Sequence, residues 1–176
     1  MISRGLLFAA LAGGGLAVDL WTKDWIFARL GPPGGRTEWL IQGNFGWQTS
    51  LNQGALFGMG QGNVWLFATL SIAAAVGIVI WLFGTGAAAD RTLTVALGSI
   101  MGGICGNLYD RLGLWWTPEF AEYPQHAVRD WILLQYGNWP WPNFNVADML
   151  LVGGAGLLML HAWRHPEPSP SVPARA

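Results

Sequence analysis

PNFNVADMLLVGGAGLLMLHAW, residues 142–163, decides how the rest of the chain is read. From Val146 to Trp163 it is an apolar run of near-membrane length whose only ionisable groups are Asp148 and His161. A helix of about 20 apolar residues crosses the hydrocarbon core, and a helix satisfies its own backbone inside lipid. Asp148 falls in the first turn. Two roles fit it. A carboxylate suits the positive end of a helix, with Asn145 as the cap. A carboxylate near bilayer depth is also costly, and by default it marks function or a paired structural role.

Working outward, three more apolar segments stand in the chain: Gly5 to Trp21, Val64 to Gly84 and Thr92 to Tyr109. Hydrophobic residues make up 52% of the 176 and charged residues 11%, against about 25% charged in soluble domains. The expected fold is an all-α polytopic membrane protein. Four transmembrane helices, at about 5–21, 64–84, 92–109 and 146–163, form one domain over residues 1–163. A small extracytoplasmic β-rich loop region and an aromatic surface loop accompany them, and residues 164–176 are read as a disordered cytoplasmic tail. Gly98, Gly106 and the pairs Gly102-Gly103 and Gly153-Gly154 suit close helix contact. The first segment has a rival reading as a cleavable signal peptide; against it, Asp19 and Lys23 stand at i and i+4 on one helical face.

Two long loops join the spans. Around Phe45, Trp47 and Thr49 aromatic and polar residues alternate, predicting a short strand or two. Residues 111–145 carry Trp115, Trp116, Trp131, Trp139 and Trp141 and are expected on the membrane surface. Lys and Arg are denser in the termini and the short connector than in the long loops, which puts both termini on the cytoplasmic side. Asp19, Asp110, Asp130 and Asp148 then gather at the opposite side.

The net charge of -1 shows no basic stripe for nucleic acid. Cys105 is the only cysteine, so no intramolecular disulfide and no CxxC pair exists. The three histidines are scattered, and no GxSxG, HExxH, P-loop or dinucleotide fingerprint appears. No metal or cofactor is expected. What remains is carboxylates. Two of them sharing a proton can activate water, one accepting its proton while the other protonates the substrate. Each carboxylate also has a plain structural reading, and the residues themselves do not separate Asp130 from Asp110. A neighbouring Arg111 that neutralised Asp110 would tune it poorly for proton transfer.

Four stretches, DLWTK at 19–23, NQGALFG at 52–58, GGICGNLYDR at 102–111, and VRDW with FNVAD at 128–131 and 144–148, resemble the lipoprotein signal peptidase (signal peptidase II) family, in the family's order. The resemblance implies an intramembrane aspartyl endopeptidase of the bacterial cytoplasmic membrane, with cytoplasmic termini and an active site near the outer face. It would cleave diacylglyceryl-modified prolipoproteins before the lipidated cysteine, using no cofactor. By the same resemblance Asp130 and Asp148 are the catalytic pair and Asp110, paired with Arg111, is support. Asn52, Gly54, Asn107, Asn145 and Ala147 line the site or hold substrate backbone, and Asp19 with Lys23 is a structural or positioning pair. Trp131 stands where the family usually has Phe, Leu20 where it often has Gln, and the stretch 112–127 exceeds the usual connection. That insert is read either as a cover over the site or as an interfacial anchor. A small transporter or proton relay is the alternative function, and a non-catalytic scaffold the third.

Overall fold

The computed structural model describes residues 2–34, 36–54 and 59–165. Residues 55–58 of the NQGALFG stretch and the tail beyond 165 lie outside the described residues. Among the described residues four helices are long and apolar enough to cross a membrane. They are α1 (Ile2–Leu30), α2 (Val64–Val79, continued by a π turn at Ile80–Gly84), α3 (Arg91–Arg111) and α4 (Val146–Arg164). Helix α1 runs well past the expected end near Trp21. Its last turns carry Asp24 and Arg29, whose charge reads as loop in sequence, and the helical pair Asp19 and Lys23 lies within it. Asp19 and Lys23 are nevertheless fully buried, because they turn toward α3 rather than to water or lipid.

Helix α3 is the centre of the bundle. Its glycines let neighbours approach. A methyl group at Gly102 would stand 3.1 Å from Ala12 O on α1, and one at Gly103 would stand 2.5 Å from Ala147 O on α4. Any larger residue would force the helices apart, which is the use of small residues in lipid, where apolar burial gives no drive to association. The glycine pair on α4 divides. Gly154 packs against Ile100 and Ala96 of α3, whereas a Cβ on Gly153 would touch nothing within 4 Å, so the expectation of close contact fails at Gly153.

The fold is mostly, not wholly, helical. Strands β1 (Thr37–Ile41), β2 (Phe45–Asn52), β3 (Val128–Tyr136) and β4 (Trp139–Pro140) pair antiparallel in that order. The first two were expected; β3 was not, since VRDWILLQY is nearly continuous in apolar residues and shows little alternation. The β2–β3 register shifts between Trp47 and Ser50 and sets Ser50 opposite Asp130, a bulge that re-aims the strand. Phe144 then bridges back to Ile132, its carbonyl accepting from Trp131 N at 3.0 Å and Ile132 N at 2.8 Å. That bridge delivers the start of α4 to the middle of β3.

No residue of the 112–127 insert lines the cavity that Asp130 and Asp148 share. Trp115 is buried and packs edge-on against Phe27 of α1 and Phe120, on the far side of β3.

Candidate active site

Successive residues of a strand point to opposite faces. On β3 this sends Arg129 toward α1 and Asp130 toward α4. Asp130 is 2% exposed and its Oδ1 accepts from Asn145 Nδ2 at 2.6 Å; Asn52 also hydrogen-bonds it. Burial, and next the neighbouring Asp148 carboxylate, hold Asp130 well above the ordinary carboxylic range, against the opposing pull of Lys23 and the two amide donors.

Asp148 is placed by helix geometry. Asn145 caps α4, its Oδ1 accepting from Asp148 N at 3.0 Å, while Asp148 Oδ2 accepts from Asn145 N at 3.2 Å, a complete capping box. Asp148 Oδ1 accepts from Asn107 Nδ2 at 2.8 Å. The helix-start reading of Asp148 is therefore correct as geometry, and it leaves the carboxylate facing the same cavity as Asp130. Asn52, Asn107 and Arg111 also line this cavity of about 170 Å³.

The amides form a fixed relay. Asn107 Oδ1 accepts from Lys23 Nζ and Asn145 Nδ2, each at 3.1 Å. With its oxygen so occupied, Asn107 must turn its NH2 to Asp148. Asn145 in turn spans Asn107 and Asp130.

Behind this relay lies a buried charge network. Lys23 Nζ is 2.7 Å from Asp19 Oδ2 and 3.0 Å from Asp110 Oδ2, all three side chains fully buried. Asp19 Oδ1 accepts from Ala147 N at 2.8 Å, tying α1 to the first turn of α4. Asp110 takes Arg129 through Nε at 3.1 Å, Nη2 at 2.9 Å and its backbone N at 2.9 Å. The expected Asp110–Arg111 pair is thus corrected. Neighbours in a helix diverge by about 100°, so Arg111 faces elsewhere. It donates to Gly54 O at 3.1 Å and lies over the Phe67 ring. Gly54 is buried, its N–H donating to Asn52 Oδ1 at 2.9 Å, so Arg111 fastens the loop that presents Asn52.

Sequence reading missed Arg129 and Asp24. Burial alone would lower Arg129, but the carboxylates of Asp110 and Asp24, the latter 2.5 Å from Nη1, more than reverse it and raise it above an ordinary guanidinium. The signal was available in VRD: were that run a strand, Arg129 would have to find an anion on the face opposite Asp130.

A family model described as signal peptidase (SPase) II matches residues 11–164. The chain belongs to the signal peptidase II family. It is 50% identical over 163 residues to a lipoprotein signal peptidase of Rhodopirellula baltica, covering 92% of this chain and 73% of that protein. A lipoprotein signal peptidase of Anoxybacillus flavithermus is 33% identical, covering 93% and 89%. A solved bacterial membrane enzyme obtained in meso shares the fold with a TM-score of 0.75, at 22% identity over 94% of this chain and 93% of that one. All the candidate site residues named from the sequence fall within the matched range.

Proposed function

We propose that the chain is an aspartyl endopeptidase of the bacterial cytoplasmic membrane that removes signal peptides from diacylglyceryl-modified prolipoproteins, cutting before the lipidated cysteine. The observation that carries the catalytic type is that Asp130 and Asp148 line one cavity and are joined through Asn145 and Asn107. Among the described residues neither carboxylate has a Lys or Arg within ion-pair distance. Two such carboxyls hold one proton between them, as a unit.

The burial of Asp130 supports its carrying that proton in the resting pair. Asp148, with both oxygens accepting N–H donors, is the acceptor-only partner. Asp148 takes a proton from water, whose oxygen bonds to the scissile carbonyl carbon, while Asp130 gives its proton to the carbonyl oxygen. In collapse, Asp148 passes its proton to the departing nitrogen as the C–N bond breaks. Asp130 recovers one from the gem-diol, and the pair returns to its starting state. No metal or cofactor enters these steps. Asn52 and Arg111 sit where an extended substrate backbone would need partners.

Lys/Arg density supports cytoplasmic termini, and with them a cavity near the extracytoplasmic face. A proton relay is less well served, because the other buried acids, Asp19 and Asp110, are already ion-paired. The test is cleavage of a purified lipidated precursor, repeated with chelator. The reading expects cleavage at the residue before the lipidated cysteine, insensitive to chelation. Activity lost to chelator and restored by zinc would overturn the metal-free mechanism.

A further inference from the structure

The insert at 112–127 reaches the candidate site through the end of α3. The last four carbonyls of a helix have no partner inside it; in α3 they belong to Leu108, Tyr109, Asp110 and Arg111. Three are met by the turn that follows. Leu112 N donates to Leu108 O at 2.9 Å, Gly113 N to Asp110 O at 2.9 Å and Leu114 N to Tyr109 O at 3.3 Å. Gly113, at φ +73°, closes the helix in the left-handed form that glycine favours. The fourth, Arg111 O, pairs with His126 Nδ1 at 3.1 Å, from the far end of the insert. A carbonyl only accepts, so Nδ1 carries the hydrogen.

The surroundings hold His126 to this bond. The imidazole is half-buried, and the Trp65 ring of α2 stands 4.9 Å from it. A Cβ on Gly113 would stand 3.0 Å from Nδ1, so glycine serves the approach as well as the turn. Arg111 is the junction. Its carbonyl meets His126, while its guanidinium lies over the Phe67 ring and donates to Gly54 O at 3.1 Å. Gly54 N donates to Asn52 Oδ1 at 2.9 Å, and Gln61 Nε2 reaches the same oxygen at 3.4 Å. With its oxygen so occupied, Asn52 offers its NH2 to Asp130.

We infer that His126 is a positioning residue for the reaction: its Nδ1–H fixes the end of α3 and, through Arg111 and Gly54, sets the Asn52 amide against Asp130. The inference rests on the endopeptidase reading above. His126 does not line the cavity, so it acts only through Arg111. Without the bond the last turn of α3 frays, and the guanidinium and the Gly54 loop move with it. Asp130 then loses an amide donor, and the positive charge of Arg111, which faces both Asp130 and Asp148, moves away. Each change favours the protonated carboxyl. Lys23 of α1 and Asp148 of α4 also face Asp130 and keep their places. Because Asp130 works as the acid, the alkaline limb of kcat moves to higher pH.

The experiment measures kcat, KM and their pH profiles on a purified lipidated precursor for the wild-type protein, His126→Phe and His126→Asn. Phenylalanine keeps a ring against Trp65 and removes the donor; asparagine keeps an N–H donor near the Nδ1 position. Neither titrates, so a difference between the two variants does not come from the charge of His126. His126→Phe is expected to lower kcat about 5-fold, the scale of one neutral hydrogen bond, and to move the alkaline limb upward. His126→Asn is expected to restore both. Variants that behave alike, both impaired or both like wild type, would overturn the inference and leave the endopeptidase reading standing. A loss in His126→Phe with the limb unmoved would also overturn it, since a loosened fold alone gives that result. No cleavage by the wild-type protein would sink the endopeptidase reading, and this inference with it. Should His126→Phe fail to fold, nitrogen NMR of wild-type protein carrying 15N-histidine decides. At alkaline pH the Nδ1–H tautomer is expected at His126, and the Nε2–H tautomer would overturn the inference.

Discussion

Asp110 and Asp130 are about equally hidden, at 0% and 2% exposure, and are solvated in opposite ways. Asp110 sits between two cations, Lys23 at 3.0 Å and Arg129 at 2.9 Å. Asp130 receives amide donors from Asn145 and Asn52 and faces a second carboxylate. A carboxylate clamped by cations organises structure. One held by neutral amides beside a like charge can trade a proton. The Lys23–Asn107–Asp148 chain joins the regions, so the charged network fixes the orientation of the amide that serves the pair.

The sharpest way to break the comparison is to remove one charge from each side. Asp130→Asn or Asp148→Asn is expected to lower precursor cleavage by about 10³-fold or more, the scale of acid–base catalysis, with thermal unfolding in detergent showing an intact fold. Asp110→Asn is expected to act through stability, by about 3 kcal/mol, because Lys23 and Arg129 stay buried with a charge partner gone; the same unfolding measurement checks it. Asn107→Ala tests the link. Losing a hydrogen bond to a charged group costs about 1.5–3 kcal/mol, so kcat should fall about 10- to 100-fold with a smaller change in unfolding temperature.

The smallest effect is in the pH dependence of stability. Asp130 binds its proton more tightly folded than unfolded. Its contribution is therefore full below the ordinary carboxylate range and is lost as pH rises through the folded value. Asp130→Asn removes that slope. Its unfolding temperature should gain on the wild-type protein as pH increases over the window.

Much of this was legible in sequence where local rules dominate. The start of α4 followed from Asn145, Asp148 and an apolar run, and β1–β2 from alternation near Trp47. Two features were hidden for a tertiary reason. The length of α1 was obscured because Asp24 and Arg29 look like loop residues until β3 supplies Arg129 and β1 supplies Glu38 as their partners. Strand β3 was obscured because burial of its first six residues erases the alternation that marks a strand with one wet face. The same gap concealed Arg129 and led adjacency to suggest Arg111 as the partner of Asp110. In the structure the cations beside Asp110 are Lys23 and Arg129.

The most direct test is a shared proton observed as such. Infrared difference spectra of protein carrying labelled aspartate, taken at neutral pH, should show one buried protonated carboxyl in the wild-type protein. It should be lost in Asp130→Asn, displaced by Asp148→Asn and kept in Asp110→Asn. A protonated carboxyl band that disappears with Asp110→Asn and survives both other substitutions would place the exchangeable proton in the wrong region and contradict the account.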